Sequence, residues 1–126
     1  MLEASGPMKA LSVLVVEDDS IVGMLLGELL ELMGYDVCAI EATEADAVAA
    51  AVRCSPDLMI VDVQLSNGSG ISAVEEILRT RAIPYVFVSG DISRVQATRP
   101  GAVLMQKPYR ESDLVQAIQS ARGAGT

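Results

Sequence analysis

Five short apolar runs, each followed by a polar or charged side chain, alternate along this chain with segments whose apolar residues recur at helical spacing. The runs are Leu11 to Val16, Tyr35 to Ile40, Leu58 to Val61, Pro84 to Val88 and Ala102 to Gln106. Apart from Tyr35 to Ile40, which alternates weakly and is β-rich, these near-continuous apolar runs suit strands covered on both faces, the habit of parallel sheets. Strand and helix in strict succession with short connections predict one α/β domain. Its architecture is a five-stranded parallel sheet, doubly wound, with helices on both faces and right-handed crossovers.

The intervening segments carry their own punctuation. Ile21 to Met33 keeps helical periodicity, with Asp19 or Ser20 as N-cap and Gly34 as the stop. Thr43 caps an Ala-rich helix through about Arg53, closed by Ser55-Pro56. Ser66-Asn67-Gly68-Ser69-Gly70 is built of turn formers and reads as a loose loop before a helix over 71–81. Between Asp91 and Gly101 only Ile92 and Val95 anchor anything, so helix four is expected to be short or mobile, one or two turns at most. The last helix is entered at Glu111 or Ser112 and carries Leu114, Val115, Ile118 and Ala121. Residues 1–8 read as an N-terminal extension, with Met8 the natural start and Leu2 to Pro7 a cloning remnant. Residues 9–122 are the domain, and 123–126 a tail that frays from Arg122.

Composition narrows the functions available. At 126 residues there is room for one core and no second module. Nine basic residues against 17 acidic, a formal charge of −8, argue against a nucleic-acid surface, which draws on clustered Lys and Arg. No run approaches a membrane span, and Met1 to Pro7 lacks the basic and apolar segments of a secretory signal, so a soluble cytoplasmic protein is expected. There is no His, and Cys38 and Cys54 lack metal-ligand spacing, so they are read as inert thiols.

In an open parallel sheet, ligands bind outside the carboxyl ends of the strands. Glu17 and Asp18 follow strand one, Asp62 ends strand three, Ser89 ends strand four and Lys107 follows strand five. Burying an ionised Asp62 is costly without compensation. Three carboxylates gathered there repel, and a hard divalent cation with oxygen ligands, Mg2+ above all, relieves that repulsion. Lys107 brings a compact positive charge and Ser89 a hydroxyl, both suited to the oxygens of a transferred phosphoryl group, and Asp62 can then act as nucleophile and form an acyl phosphate. Such catalysis consists of positioning and charge neutralisation and needs no His.

With those residues in order, the chain resembles a response-regulator receiver domain of two-component signalling, from about Lys9 to Arg122. The resemblance rests on Val-Leu-Val-Val-Glu17-Asp18-Asp19, Ser-Pro-Asp-Leu-Met-Ile-Val-Asp62, Gly70, Val-Phe-Val-Ser89-Gly and Gln-Lys107-Pro108-Tyr109. It implies the flavodoxin-like strand order 2-1-3-4-5 and a signalling phosphoacceptor rather than an enzyme. It also implies Asp62 as the phosphoacceptor, Asp18 as a direct Mg2+ ligand, Glu17 as a ligand through water, and the backbone carbonyl of Gln64 as a further ligand. Lys107 would bind the phosphoryl oxygens, Ser89 would be the switch hydroxyl, and the Lys107-Pro108 bond would be cis. The implied partners are a histidine kinase or histidine phosphotransfer protein as donor and a downstream protein target, with the chain a monomer or weak homodimer.

Two positions and one spacing depart from the family pattern. Ser66 stands where Pro is usual, Leu104 replaces the aromatic switch residue, and only 17 residues separate Ser89 from Lys107. The expectation is a remodelled output face in which the Ser89 to Gly101 segment carries the signal by ordering. Tyr109 is expected to pack the end of strand five, and Gln64 and Asp91 occupy the positions that tune hydrolysis in the family. The chain stopping after helix five points to a single-domain receiver. A receiver excised from a larger regulator or hybrid kinase, and an unphosphorylated interaction module, remain the alternatives. A flavin or nucleotide binder of the same architecture would want a phosphate-cradling loop where Glu17-Asp18-Asp19 stands.

Overall fold

The computed structural model describes residues 10–123; the expected extension over 1–8 and residues 124–126 of the expected tail lie outside the described residues. The chain alternates strand and helix: β1 (Ser12–Val16), α1 (Ser20–Leu32), β2 (Asp36–Glu41), α2 (Glu44–Cys54), β3 (Leu58–Asp62), α3 (Gly70–Leu78), β4 (Tyr85–Ser89), α4 (Ile92–Thr98), β5 (Val103–Gln106) and α5 (Glu111–Gly123). The five strands are parallel and lie in the order β2-β1-β3-β4-β5, so the order reverses beside β1, where β1 meets β3.

Side chains along a strand point alternately to the two faces, and both faces here are covered. Val13, Val15, Leu58, Ile60, Val86, Val88 and Met105 face one core with Leu26 and Leu30 of α1 and Leu114 and Ile118 of α5. Leu14, Val16, Met59, Val61 and Phe87 face the other, with Ala47, Ala50 and Ala51 of α2, Val74 and Ile77 of α3, and Val95 of α4. Every residue of β3 is buried, which explains its apolar run and makes its terminal Asp62 the exception. The residues that α2 buries in this core are alanines alone, Ala47, Ala50 and Ala51.

Local chemistry sets the ends. Asp19 accepts hydrogen bonds from the amides of Ile21 and Val22, capping α1. Gly34 follows the helix with φ +98°, a conformation that suits glycine. Thr43 caps α2 through the Asp46 amide. At the head of α5 the Arg110 amide donates to the Asp113 carboxylate while the Asp113 amide donates to the Arg110 carbonyl.

Two expected ends shift. The third helix stops at Leu78 rather than Arg81: the Arg79 amide donates to the Glu76 carbonyl and the Thr80 amide to the Ile77 carbonyl, three-residue turns that tighten its end. The last helix continues through Arg122 to Gly123, so the fraying expected from Arg122 is not found there. α4 has seven residues, about two turns, with Val95 alone buried, in line with the expected short helix.

Candidate functional site

The sheet delivers the polar residues to one edge. Glu17 extends β1 by donating its amide to the Glu41 carbonyl, and Asp62 closes β3 in register with Val88. Ser89 closes β4 in register with Gln106, and the Lys107 amide donates to the Ser89 carbonyl at 2.9 Å. Parallel strands of similar length therefore set Glu17, Asp62, Ser89 and Lys107 side by side. One carboxylate oxygen from each of Glu17, Asp18 and Asp62 lies within 4.8 Å of the others. Among the described residues this is the one such cluster, and three carboxylates form a donor set that fits a hard divalent cation.

Each carboxylate has assigned partners. Asp62 is 6% exposed; its Oδ1 accepts from the Gln64 amide at 2.9 Å and its Oδ2 from Lys107 Nζ at 2.5 Å. Lys107 Nζ also stands 3.6 Å from Glu17 Oε1. Glu17, likewise 6% exposed, accepts from the Asp19 amide at 3.0 Å. Burial, reinforced by the charge of Asp62, pushes the Glu17 carboxyl up to about 7. Burial works against the Lys107 charge, but its hydrogen bond and attraction to Asp62, with Glu17 behind, hold the ammonium above the ordinary lysine value. Ser89 is buried and its Oγ accepts from the Asp91 amide at 3.0 Å, so the hydroxyl proton remains to be donated elsewhere. The Lys107-Pro108 bond is cis.

The segment 66–69 corrects the expected loose loop. Ser66 donates to Asp18 Oδ2 through both its amide, at 2.8 Å, and its hydroxyl. These bonds hold the Asp18 carboxyl below its ordinary value. The Ser69 amide donates to Glu44 Oε1 at 2.9 Å, the Glu44 amide donates to the Asn67 carbonyl, and the Ser69 hydroxyl caps α3. The loop is tied at both ends because its serines find partners on β1's tip and on the head of α2. Sequence reasoning missed Glu44; its place just after the Thr43 cap was the available clue. Beside this loop a cleft of about 880 Å³ opens toward Ser89, Asp91 and Arg94, where the short α4 leaves room.

Leu104 is paired with Phe87 and packs in the core facing α4, while Tyr109 packs against the opposite core, near Val22, Leu25 and Leu29 of α1. Tyr109 thus sits where the expected packing role puts it. Burial pushes the Cys38 thiol up to about 11, and Cys54 Sγ donates to the Cys38 carbonyl at 3.6 Å. Neither thiol adjoins the acidic cluster. Among the described residues no helix is long and apolar enough to cross a membrane.

The comparisons with known proteins agree with this geometry. Residues 13–119 match the family model described as the response regulator receiver domain. The phyllosphere-induced regulator PhyR of Methylorubrum extorquens is 32% identical over 89% of this chain and 43% of its own length. The transcriptional regulatory protein PdtaR of Mycobacterium tuberculosis is 34% identical over 86% of this chain and 55% of its own. The solution structure of the receiver domain of the Erythrobacter litoralis PhyR response regulator superposes with a TM-score of 0.82, at 33% identity over 92% of each chain. The chain spans about half the length of the curated relatives it matches. With the 2-1-3-4-5 sheet, the acidic edge and the match over residues 13–119 all in hand, the chain belongs to the response regulator receiver domain family of two-component signalling.

Proposed function

We propose that this chain is a phosphorylatable receiver in which Asp62 accepts a phosphoryl group from a phosphohistidine on a histidine kinase or histidine phosphotransfer protein. The observation that carries the reading is the meeting of Lys107 Nζ with Asp62 Oδ2, beside a second buried carboxylate, Glu17, at the switch edge of the sheet. An ordinary solvated strand end would not gather one ammonium and three acids.

An oxygen of Asp62 forms the bond to phosphorus as the bond between phosphorus and the donor's ring nitrogen breaks, and the imidazole leaves with the electron pair. Lys107, already held at Asp62, pairs with the phosphoryl oxygens, and Ser89 donates its hydroxyl to them. Glu17, Asp18, Asp62 and the backbone carbonyl of Gln64 would hold Mg2+, which would supply neutralisation of the charge gathering on those oxygens. The chain is in this reading a signalling phosphoacceptor that assists its own phosphorylation and dephosphorylation. Drawing Ser89 toward the phosphoryl group shifts the β4–α4 connection and with it a protein-binding surface for a downstream target. The formal charge of −8 favours a protein over nucleic acid as that target, and the setting is cytoplasmic.

The test is incubation with a small phosphodonor and Mg2+, followed by intact mass. Wild type gains one phosphoryl group and Asp62→Asn does not. An unchanged wild-type mass in folded, Mg2+-binding protein would identify an unphosphorylated interaction module of the same fold. A receiver carried within a longer regulator is the second reading, favoured by the greater length of the curated relatives. The chemistry at Asp62 is the same in both.

A further inference from the structure

We infer that Ser66 is a positioning residue for the divalent cation: its amide and hydroxyl together clamp one oxygen of Asp18 and so fix that carboxylate beside Glu17 and Asp62. This inference rests on the proposal that Glu17, Asp18 and Asp62 hold Mg2+.

Both Ser66 donors meet the same atom, Asp18 Oδ2, and neither uses Oδ1. Asp18 stands on the connection between β1 and α1 and is partly exposed, so its carboxylate has rotamers to lose on binding. Mg2+ demands near-ideal octahedral geometry, and ligating carboxylates are themselves commonly held by hydrogen bonds from outside the ligand set. Two donors on one oxygen hold the whole carboxylate in a single orientation, which answers both needs. The usual proline at this position would have no amide proton and no hydroxyl, and so could supply neither bond.

The clamp has a firm base. Glu44, at the head of α2, accepts from the Ser69 amide at 2.9 Å and donates its own amide to the Asn67 carbonyl at 3.2 Å. Gly68 adopts φ +93°, and a Cβ there would come within 2.5 Å of Glu44 Cβ, so the loop is seated against α2 as closely as a glycine allows. The segment that carries Ser66 is therefore framed from α2 while its side chain reaches β1's tip.

The test is calorimetric titration of the full chain with Mg2+ and, separately, Ca2+, with urea unfolding of each variant measured in the absence of both ions. Ser66→Ala should weaken Mg2+ binding about three- to tenfold and Ser66→Pro more, with Ca2+, whose coordination tolerates looser geometry, affected less. Ser66→Thr, which keeps both donors, should restore wild-type affinity. Mg2+ binding by wild type that is lost in Asp18→Asn but unchanged or tighter in Ser66→Ala would overturn the clamp and leave the metal reading standing. Wild type that shows no Mg2+ binding would overturn both.

Discussion

Lys107 Nζ stands 2.5 Å from Asp62 Oδ2 although 45 positions separate the two residues in the chain. The contact follows from topology: β3 and β5 flank β4, all three run parallel, and their carboxyl ends reach the same edge. One ammonium there faces two buried carboxylates.

Replacing that ammonium should expose the repulsion it offsets. In Lys107→Met, Asp62 and Glu17 keep their burial and lose their counter-charge. The expected loss is about 1–2 kcal/mol, below the cost of breaking a fully buried pair because the Lys107 side chain is 36% exposed. Urea unfolding without divalent cation checks it, and adding Mg2+ should recover part of the loss. A variant as stable as wild type in ion-free buffer would show that the ammonium offsets nothing.

The Glu17 carboxyl gives a pH dependence with a defined sign. Its value rises from 4.5 in an exposed setting to about 7 in the fold, so between those values the folded chain binds more protons than the unfolded one. Stability contributed by this group is present in full below 4.5 and is lost as pH rises through about 7, on the order of 3 kcal/mol at most. Between pH 5 and pH 8, ion-free wild type should therefore lose stability relative to Glu17→Gln, as read by urea midpoints. Mg2+ affinity should run the other way, rising as Glu17 gives up its proton, with proton release detectable by calorimetry in buffers of different ionisation enthalpy.

Two glycines separate steric from conformational demands. A Cβ on Gly70 would lie 2.0 Å from the Asp62 carbonyl oxygen, a backbone atom that cannot turn aside. Gly70→Ala is expected to cost roughly 2–3 kcal/mol or more and to displace Asp62, lowering phosphoryl uptake. Gly34, with φ +98° and nothing within 4 Å of its would-be Cβ, carries only the conformational demand. Gly34→Ala should cost about 1 kcal/mol and leave phosphoryl uptake intact. Equal losses in the two variants would show that the close approach to Asp62 is relaxed at little cost.

α4 should report on phosphorylation through order. It buries Val95 alone, and its N-cap residue Asp91 gives no side-chain cap to the helix, accepting instead from the Ser93 hydroxyl. Amides of 92–98 should exchange faster than those of α5 in the unphosphorylated chain and slow on addition of a phosphoryl mimic with Mg2+. Strong, equal protection in both states would remove ordering of the Ser89 to Gly101 segment as the output route.

Much of this molecule was already legible in its residues. Strands buried on both faces need apolar runs, so β1, β3 and β4 could be found to within a residue, and the tips of a parallel sheet are adjacent, so Glu17, Asp62, Ser89 and Lys107 could be grouped before any coordinate was known. A cap at Asp19 or Ser20 and the weakness of α4 were also legible, since both depend on side chains within a few positions of one another; the structure decides for Asp19. The loop from Ser66 to Ser69 was different. Its residues are turn formers by local preference, and they say nothing of Asp18, 48 positions back, or of Glu44, 25 positions back, which hold it. Local propensity and burial determine which segments become strand and helix, because they act along the chain. Hydrogen bonds between distant loops depend on where the finished sheet brings their backbones, and only the tertiary structure decides that.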